Sequence, residues 1–228
     1  CYINYNNPEL GKDVVKVLNA FGIGVSLLGK ERCCGIPLIA GRFFRQARKN
    51  ATSNSDAIAR VTEQGMPVVV PSSTCAMTLR DEYPHILEVD NSAWRSQVDL
   101  FSRFIHRLWE SGRDIPLKPL KMRVAYHTAC HLERLGWTCF SIGMLQRIPE
   151  LELIVLPSRC CGIAGTYGFK SENYQTAQLV GAELFANIRA AGVDLVVCDC
   201  ETCKLQIEMS TGIKCEHPAT VLARSLAG

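Results

Sequence analysis

The segment Glu31-Arg32-Cys33-Cys34-Gly35-Ile36 returns as Ser158-Arg159-Cys160-Cys161-Gly162-Ile163, and in both places a glycine, Gly41 or Gly168, follows the second cysteine by seven residues. The frame extends outward. Cys1 precedes Cys33 by 32 positions and Cys130 precedes Cys160 by 30. Downstream, Val68-Val69-Val70-Pro71-Ser72-Ser73-Thr74-Cys75 aligns with Val196-Val197-Cys198-Asp199-Cys200-Glu201-Thr202-Cys203. Four cysteines therefore have a counterpart in each half, while Cys200 faces Ser72. A repeat of this length requires two related units of one fold, each delivering its cysteines from the same places.

Periodicity gives that fold. In the second half, residues 123–127 read as a short strand leading to Cys130, 137–147 as an amphipathic helix ahead of Pro149, and 153–156 as a strand stopped by Pro157. A helix over 173–191 ends at Gly192, and a strand over 194–197 leads to Cys200 and Cys203. The first half follows the same order through a helix at 14–21, a strand at 25–28, a helix at 44–64 and a strand at 68–70. The predicted class is α/β: two pseudo-repeated βαβ-type halves with parallel sheets and cysteine loops at the carboxyl ends of the strands. The halves are expected at 1–117 and 118–228, divided in the stretch 112–119, where Pro116 and Pro119 break the pattern. The strand matching 123–127 is missing before Cys1, so the natural polypeptide is expected to continue upstream.

Composition narrows the function classes. With 228 residues and 47% apolar content the chain can bury a sizeable core. A net charge of +3 without long runs of one sign gives no nucleic-acid arm. Apolar runs such as Val68-Val69-Val70 are far short of the roughly 18 residues that span a bilayer, so this stretch of polypeptide is expected to be soluble or at most peripheral. An apolar stripe over 98–109 (Leu100, Phe101, Phe104, Ile105, Leu108 and Trp109) reads as a helix, either packed on its own sheet or lying on a membrane surface.

Twelve cysteines in such a chain point to metal rather than to a disulfide scaffold, because disulfide density serves domains too small to build a core. Cys200-x-x-Cys203 lets two thiolates turn toward one ion, although it also suits a thioredoxin-type pair. The adjacent Cys160 and Cys161 reach one site only through an irregular backbone, which Gly162 permits; a vicinal disulfide is the bland alternative. His127 and His131 flank Cys130 and either donate hydrogen bonds to sulfur or are satisfied by backbone, and His217 beside Cys215 is equally open. Cys139, Cys198 and Cys215 are expected to be structural, as buried small hydrophobes. Gly22-x-Gly24 follows a helix instead of opening one, and reads as a turn.

The spacing of Cys130, Cys160-Cys161-Gly162 and Cys200-x-x-Cys203 resembles the cysteine-rich "CCG" domain shared by heterodisulfide reductase B subunits, glycolate and lactate oxidation iron–sulfur subunits, and the C subunits of anaerobic glycerol-3-phosphate dehydrogenases. Cys160-Cys161-Gly162-Ile163-Ala164-Gly165-Thr166-Tyr167-Gly168 and Asp199-Cys200-Glu201-Thr202-Cys203-Lys204 look most like the last group. The resemblance implies a non-cubane [4Fe-4S] cluster on Cys130, Cys160, Cys161, Cys200 and Cys203. In the first half Ser72 replaces the fifth thiolate, leaving Cys1, Cys33, Cys34 and Cys75 for a [4Fe-4S] cluster or a structural zinc. It further implies electron transfer from flavin-bearing dehydrogenase subunits to menaquinone, peripherally on the cytoplasmic face of the inner membrane, with no catalytic dehydrogenase residue in this chain. A zinc-stapled interaction module and a disulfide-reducing module stay open as alternatives.

Overall fold

The computed structural model describes residues 2–29 and 31–227; Cys1 lies outside the described residues. The first half runs α1 (Tyr2–Asn6), α2 (Pro8–Ala20), α3 (Ile36–Ala40), α4 (Phe44–Thr62), β1 (Val68–Val70), α5 (Ser73–Met77), a π-helical turn (Thr78–Glu82), α6 (Tyr83–His85), β2 (Val98–Leu100) and α7 (Phe101–Glu110). The second runs β3 (Met122–Tyr126), α8 (Cys130–Leu135), α9 (Thr138–Gln146), β4 (Leu151–Val155), α10 (Tyr174–Ala191), β5 (Leu195–Val197), α11 (Glu201–Thr211), β6 (Cys215–Glu216) and α12 (Pro218–Ser225).

Four strands of the second half form a parallel sheet in the order β4-β3-β5-β6, with Val124 beside both Leu153 and Leu195. The chain leaves β3 toward β4 on one side and returns through α10 to β5 on the other. The loops after β3 and β5 therefore diverge, which opens the crevice where such sheets carry their ligands. The long helix α10 turns Ala177, Gly181, Leu184, Phe185 and Ile188 inward at helical spacing and stops at Gly192, whose φ of +56° is the left-handed value that closes helices.

The first half repeats this plan with one correction. Residues 25–28, expected as a strand, run extended without a ladder, and Leu27 is 79% exposed. In the second half the corresponding strand, β4, pairs on β3, whereas no strand among the described residues offers residues 25–28 its hydrogen bonds. A cavity of about 400 Å³ lined by Val14, Val25, Leu27, Val68 and Val70 lies between this stretch and β1. A strand without a neighbour has no register to hold. β1 keeps its strand by pairing in parallel with β2.

The stripe over 98–109 is a strand followed by a helix. Val98–Leu100 is β2, and α7 buries Phe101, Ile105 and Trp109 in the protein's own core, so its apolar face is covered by the chain itself. The last helix of each half packs on the second helix of the other half: α7 on α9, and α12 on α2. Thr220 on α12 donates to Asp13 Oδ2 at 2.7 Å, and Lys16 on α2 reaches the Ala223 carbonyl. One continuous apolar core results, joining residues from both halves.

Candidate metal centre

Three segments at the carboxyl end of the four-stranded sheet carry the second-half cysteines. Cys130 follows β3, Cys160 and Cys161 follow β4, and Cys200 and Cys203 follow β5. The Cys161 and Cys203 sulfurs are 3.1 Å apart. Cys161, Cys200 and Cys203 are buried, whereas Cys130 and Cys160 are exposed, so the group has a closed floor and an open rim. All eleven described cysteines are free thiols.

Backbone geometry sets the double-cysteine turn. Gly162 has φ +83°, and a Cβ there would lie 2.0 Å from the Ala177 carbonyl oxygen of α10. Only glycine allows both the left-handed turn and the contact. Gly35 has φ +104° and sits against Ala47 of α4, so the first-half turn is built the same way. There, in addition, Asn54 of α4 clamps the loop: its Oδ1 accepts from the Arg32 amide at 2.8 Å, and its Nδ2 donates to the Arg32 carbonyl and to the Tyr83 hydroxyl. Sequence reading missed Asn54; its signal was a polar residue in the inward stripe of a helix.

Close thiols shift one another. Interaction with Cys160 and then with Cys203 holds Cys161 well below the usual thiol range, while Cys160 and Cys203 are pushed up. Cys200 falls to about 5, first through Cys203 and then through the hydroxyls of Thr202 and Thr74. Burial raises Cys130, reinforced by the nearby Cys200 and Cys161. In the first half the neighbouring thiols of Cys33 and Cys75, together with burial, raise Cys34, and Cys33 drops to about 6 beside it. The fourth first-half cysteine, Cys1, lies outside the described residues. Ser72 Oγ donates to Glu201 Oε2 at 2.8 Å and caps α5 by accepting from the Cys75 amide at 3.5 Å.

A buried polar frame holds the loop after β5. Asp199 accepts from Tyr126 Oη at 2.6 Å and from Ser141 Oγ at 2.8 Å, Ser141 pairs with Ser102, and the Asp199 carbonyl accepts from the amide and hydroxyl of Ser73. Burial pushes the Asp199 carboxyl up to about 6. Asp199 also escaped sequence reading, although an acid between two cysteines at the end of an apolar strand was its signal.

The remaining residues divide. His217 is satisfied by backbone: Nδ1 accepts from the Ala219 amide at 3.0 Å and Nε2 donates to the Pro71 carbonyl at 3.1 Å. His131 Nδ1 pairs with Thr74 Oγ1 at 2.9 Å. His127 is different: it is buried, and neither ring nitrogen has a hydrogen-bond partner. Cys215 is buried in β6 as expected. Cys139 is exposed, correcting the expectation of burial, because α9 turns Ser141, Met144 and Leu145 inward instead. Cys198 is buried one residue past β5, not within it, and its sulfur accepts from the Cys200 amide at 3.4 Å.

The donor set fits an iron–sulfur cluster or zinc: soft sulfur ligands, several too closely packed to ionise together without a cation. Comparison with known proteins agrees. The cysteine-rich domain family, CCG, matches residues 1–80 and 124–208, one copy on each half. The chain belongs to the cysteine-rich CCG domain family. The C subunit of the anaerobic glycerol-3-phosphate dehydrogenase of Escherichia coli is 57% identical over all 228 residues, and this chain spans 58% of that relative's length. Lactate utilization protein A of Geobacillus kaustophilus is 31% identical over 97% of this chain and 95% of its own. The B subunit of the fumarate reductase (CoM/CoB) of Methanothermobacter marburgensis is 28% identical over 92% of this chain and 40% of its own. Among the described residues, no helix is long and apolar enough to cross a membrane.

Proposed function

We propose that this chain is the cluster-bearing part of an iron–sulfur electron-transfer subunit. It would serve between the flavin-bearing subunits of an anaerobic glycerol-3-phosphate dehydrogenase and menaquinone, peripherally on the cytoplasmic face of the inner membrane. The observation that carries the reading is the 3.1 Å approach of the buried Cys161 and Cys203 sulfurs, delivered by the separate segments that follow β4 and β5. The identity to the dehydrogenase's C subunit supports the choice of partners.

In this reading Cys161, Cys200 and Cys203 form the floor of the second-half site, and Cys130 and Cys160 its rim, holding a non-cubane [4Fe-4S] cluster. Such a cluster supplies one-electron exchange when bound. Cys1, Cys33, Cys34 and Cys75 hold a [4Fe-4S] cluster or zinc in the first half, and Ser72 caps a helix there. Asp199, through Tyr126, Ser141 and Ser73, fixes the loop that carries Cys200. The exposed rim faces the side from which a donor or acceptor approaches. The contact of Thr74, beside Cys75 on α5, with Cys200 supports a route between the two halves.

Iron and acid-labile sulfide analysis of the anaerobically purified full-length protein, with EPR in the oxidised and reduced states, tests this. Iron and sulfide in the ratio of a [4Fe-4S] cluster are expected, with the second-half signal lost or remodelled in Cys161→Ser. Zinc without labile sulfide, or an unaltered signal in that variant, would overturn it.

A further inference from the structure

His127 is the residue that the five-cysteine scheme leaves unexplained. It stands at the carboxyl end of β3, with its backbone amide donating to the Val197 carbonyl at 2.9 Å, and it is 1% exposed. Its two ring nitrogens are buried and make no hydrogen bond. A buried imidazole has a lone pair and an N–H to satisfy, and leaving them unmet costs free energy comparable to lost hydrogen bonds. One ring nitrogen and the sulfurs of Cys161 and Cys203 all lie within 4.8 Å of one another.

The chemistry of that neighbourhood decides what the ring can do. Ligand thiolates accept hydrogen bonds and donate none, so they can take the imidazole N–H but offer nothing to the lone pair of the other nitrogen. A metal ion can satisfy that lone pair. We propose that His127 is a nitrogen ligand of the second-half centre, bound to the ion that Cys161 and Cys203 hold. Its place is fixed by β3, as theirs are by the loops after β4 and β5, so all three strands at the crevice contribute. Exchanging sulfur for imidazole raises the potential of an iron–sulfur centre, and a mixed set on one ion would distinguish this cluster from an all-thiolate one. The proposal rests on the iron–sulfur reading above.

The test is pulsed EPR on the reduced full-length protein, purified anaerobically with ¹⁵N-labelled histidine, beside unlabelled protein and the variants His127→Gln and His131→Gln. A hyperfine coupling of the strength of a directly bonded nitrogen is expected in the labelled protein, retained in His131→Gln and absent in His127→Gln. Iron and sulfide are measured on each sample, so loss of the cluster is distinguished from loss of the nitrogen. A paramagnetic cluster with only the weak coupling of an N–H donated to sulfur would overturn the assignment while leaving the iron–sulfur reading intact. Strong coupling that survives in His127→Gln would overturn it as well. Should His127→Gln fail to assemble, the labelled wild-type spectrum decides alone.

Discussion

Thr74 Oγ1 lies 3.4 Å from Cys200 Sγ, although 126 positions separate the two residues in the chain. Thr74 precedes Cys75 on α5 of the first half, and Cys200 stands at the start of the equivalent helix, α11, of the second. The contact is answered in the opposite direction, since Glu201 reaches back to Ser72. Each half therefore contributes to the surroundings of the other half's cysteines.

With Cys200 as a metal-bound thiolate, the sulfur can only accept, so the Thr74 hydroxyl donates to it and accepts from His131 Nδ1–H in turn. Hydrogen bonds to ligand sulfur favour the reduced cluster. Thr74→Val is expected to lower the midpoint potential of the second-half centre with iron content unchanged. A redox titration followed by EPR checks this, and an unmoved potential would refute it.

Gly162→Ala combines a left-handed φ with a methyl group 2.0 Å from a backbone oxygen. It is expected to destabilise by about 3 kcal/mol or more and to impair cluster assembly. Gly165→Ala is the contrast: its φ is +67°, but the added carbon meets only Ala40 Cβ at 3.7 Å. A cost of about 1 kcal/mol is expected. Denaturant midpoints of the two variants give the ranking.

Ser72→Ala removes the partner of Glu201 Oε2, whose neighbour Oε1 already has none, in a residue that is 6% exposed. Stability should fall by about 1–3 kcal/mol, while first-half metal content stays as it was. Cys75→Ser should show the reverse emphasis, with first-half metal lost. Metal analysis of the two variants side by side separates a cap from a ligand.

Burial lowers His217 from its ordinary value of 6.5 to about 4. The folded state keeps the ring neutral while the unfolded state protonates it, so the contribution is complete above pH 6.5 and is lost as pH falls toward 4. The loss amounts to about 3 kcal/mol. Unfolding free energies measured across this window should fall with pH, and His217→Asn should flatten the slope while keeping a competent helix cap.

The helices α9 and α10 and the strands β1, β3, β4 and β5 were legible to within about two residues, because a helical stripe or a valine run bounded by Pro or Gly is a local pattern. The short elements α3, α8, β6 and α12 were not. Each is too brief to show a period, and tertiary packing decides it. The stripe over 98–109 misled because β2 and α7 are both buried, and an apolar run that crosses a strand–helix junction reads as one helix. Residues 25–28 misled in the opposite way, with strand-like composition but no neighbour to pair with among the described residues.

The sequence by itself determined the duplication, the α/β class and the family, because repeat and spacing are properties of order along the chain. Only the tertiary structure decided that the halves exchange their last helices, that Thr74 meets Cys200, that Asn54 and Asp199 hold the cysteine loops, and that His127 buries both ring nitrogens, one of them near the Cys161 and Cys203 sulfurs. These relations join residues tens to hundreds of positions apart, and burial, which fixes whether a polar atom needs a partner, exists only once the chain has closed around it.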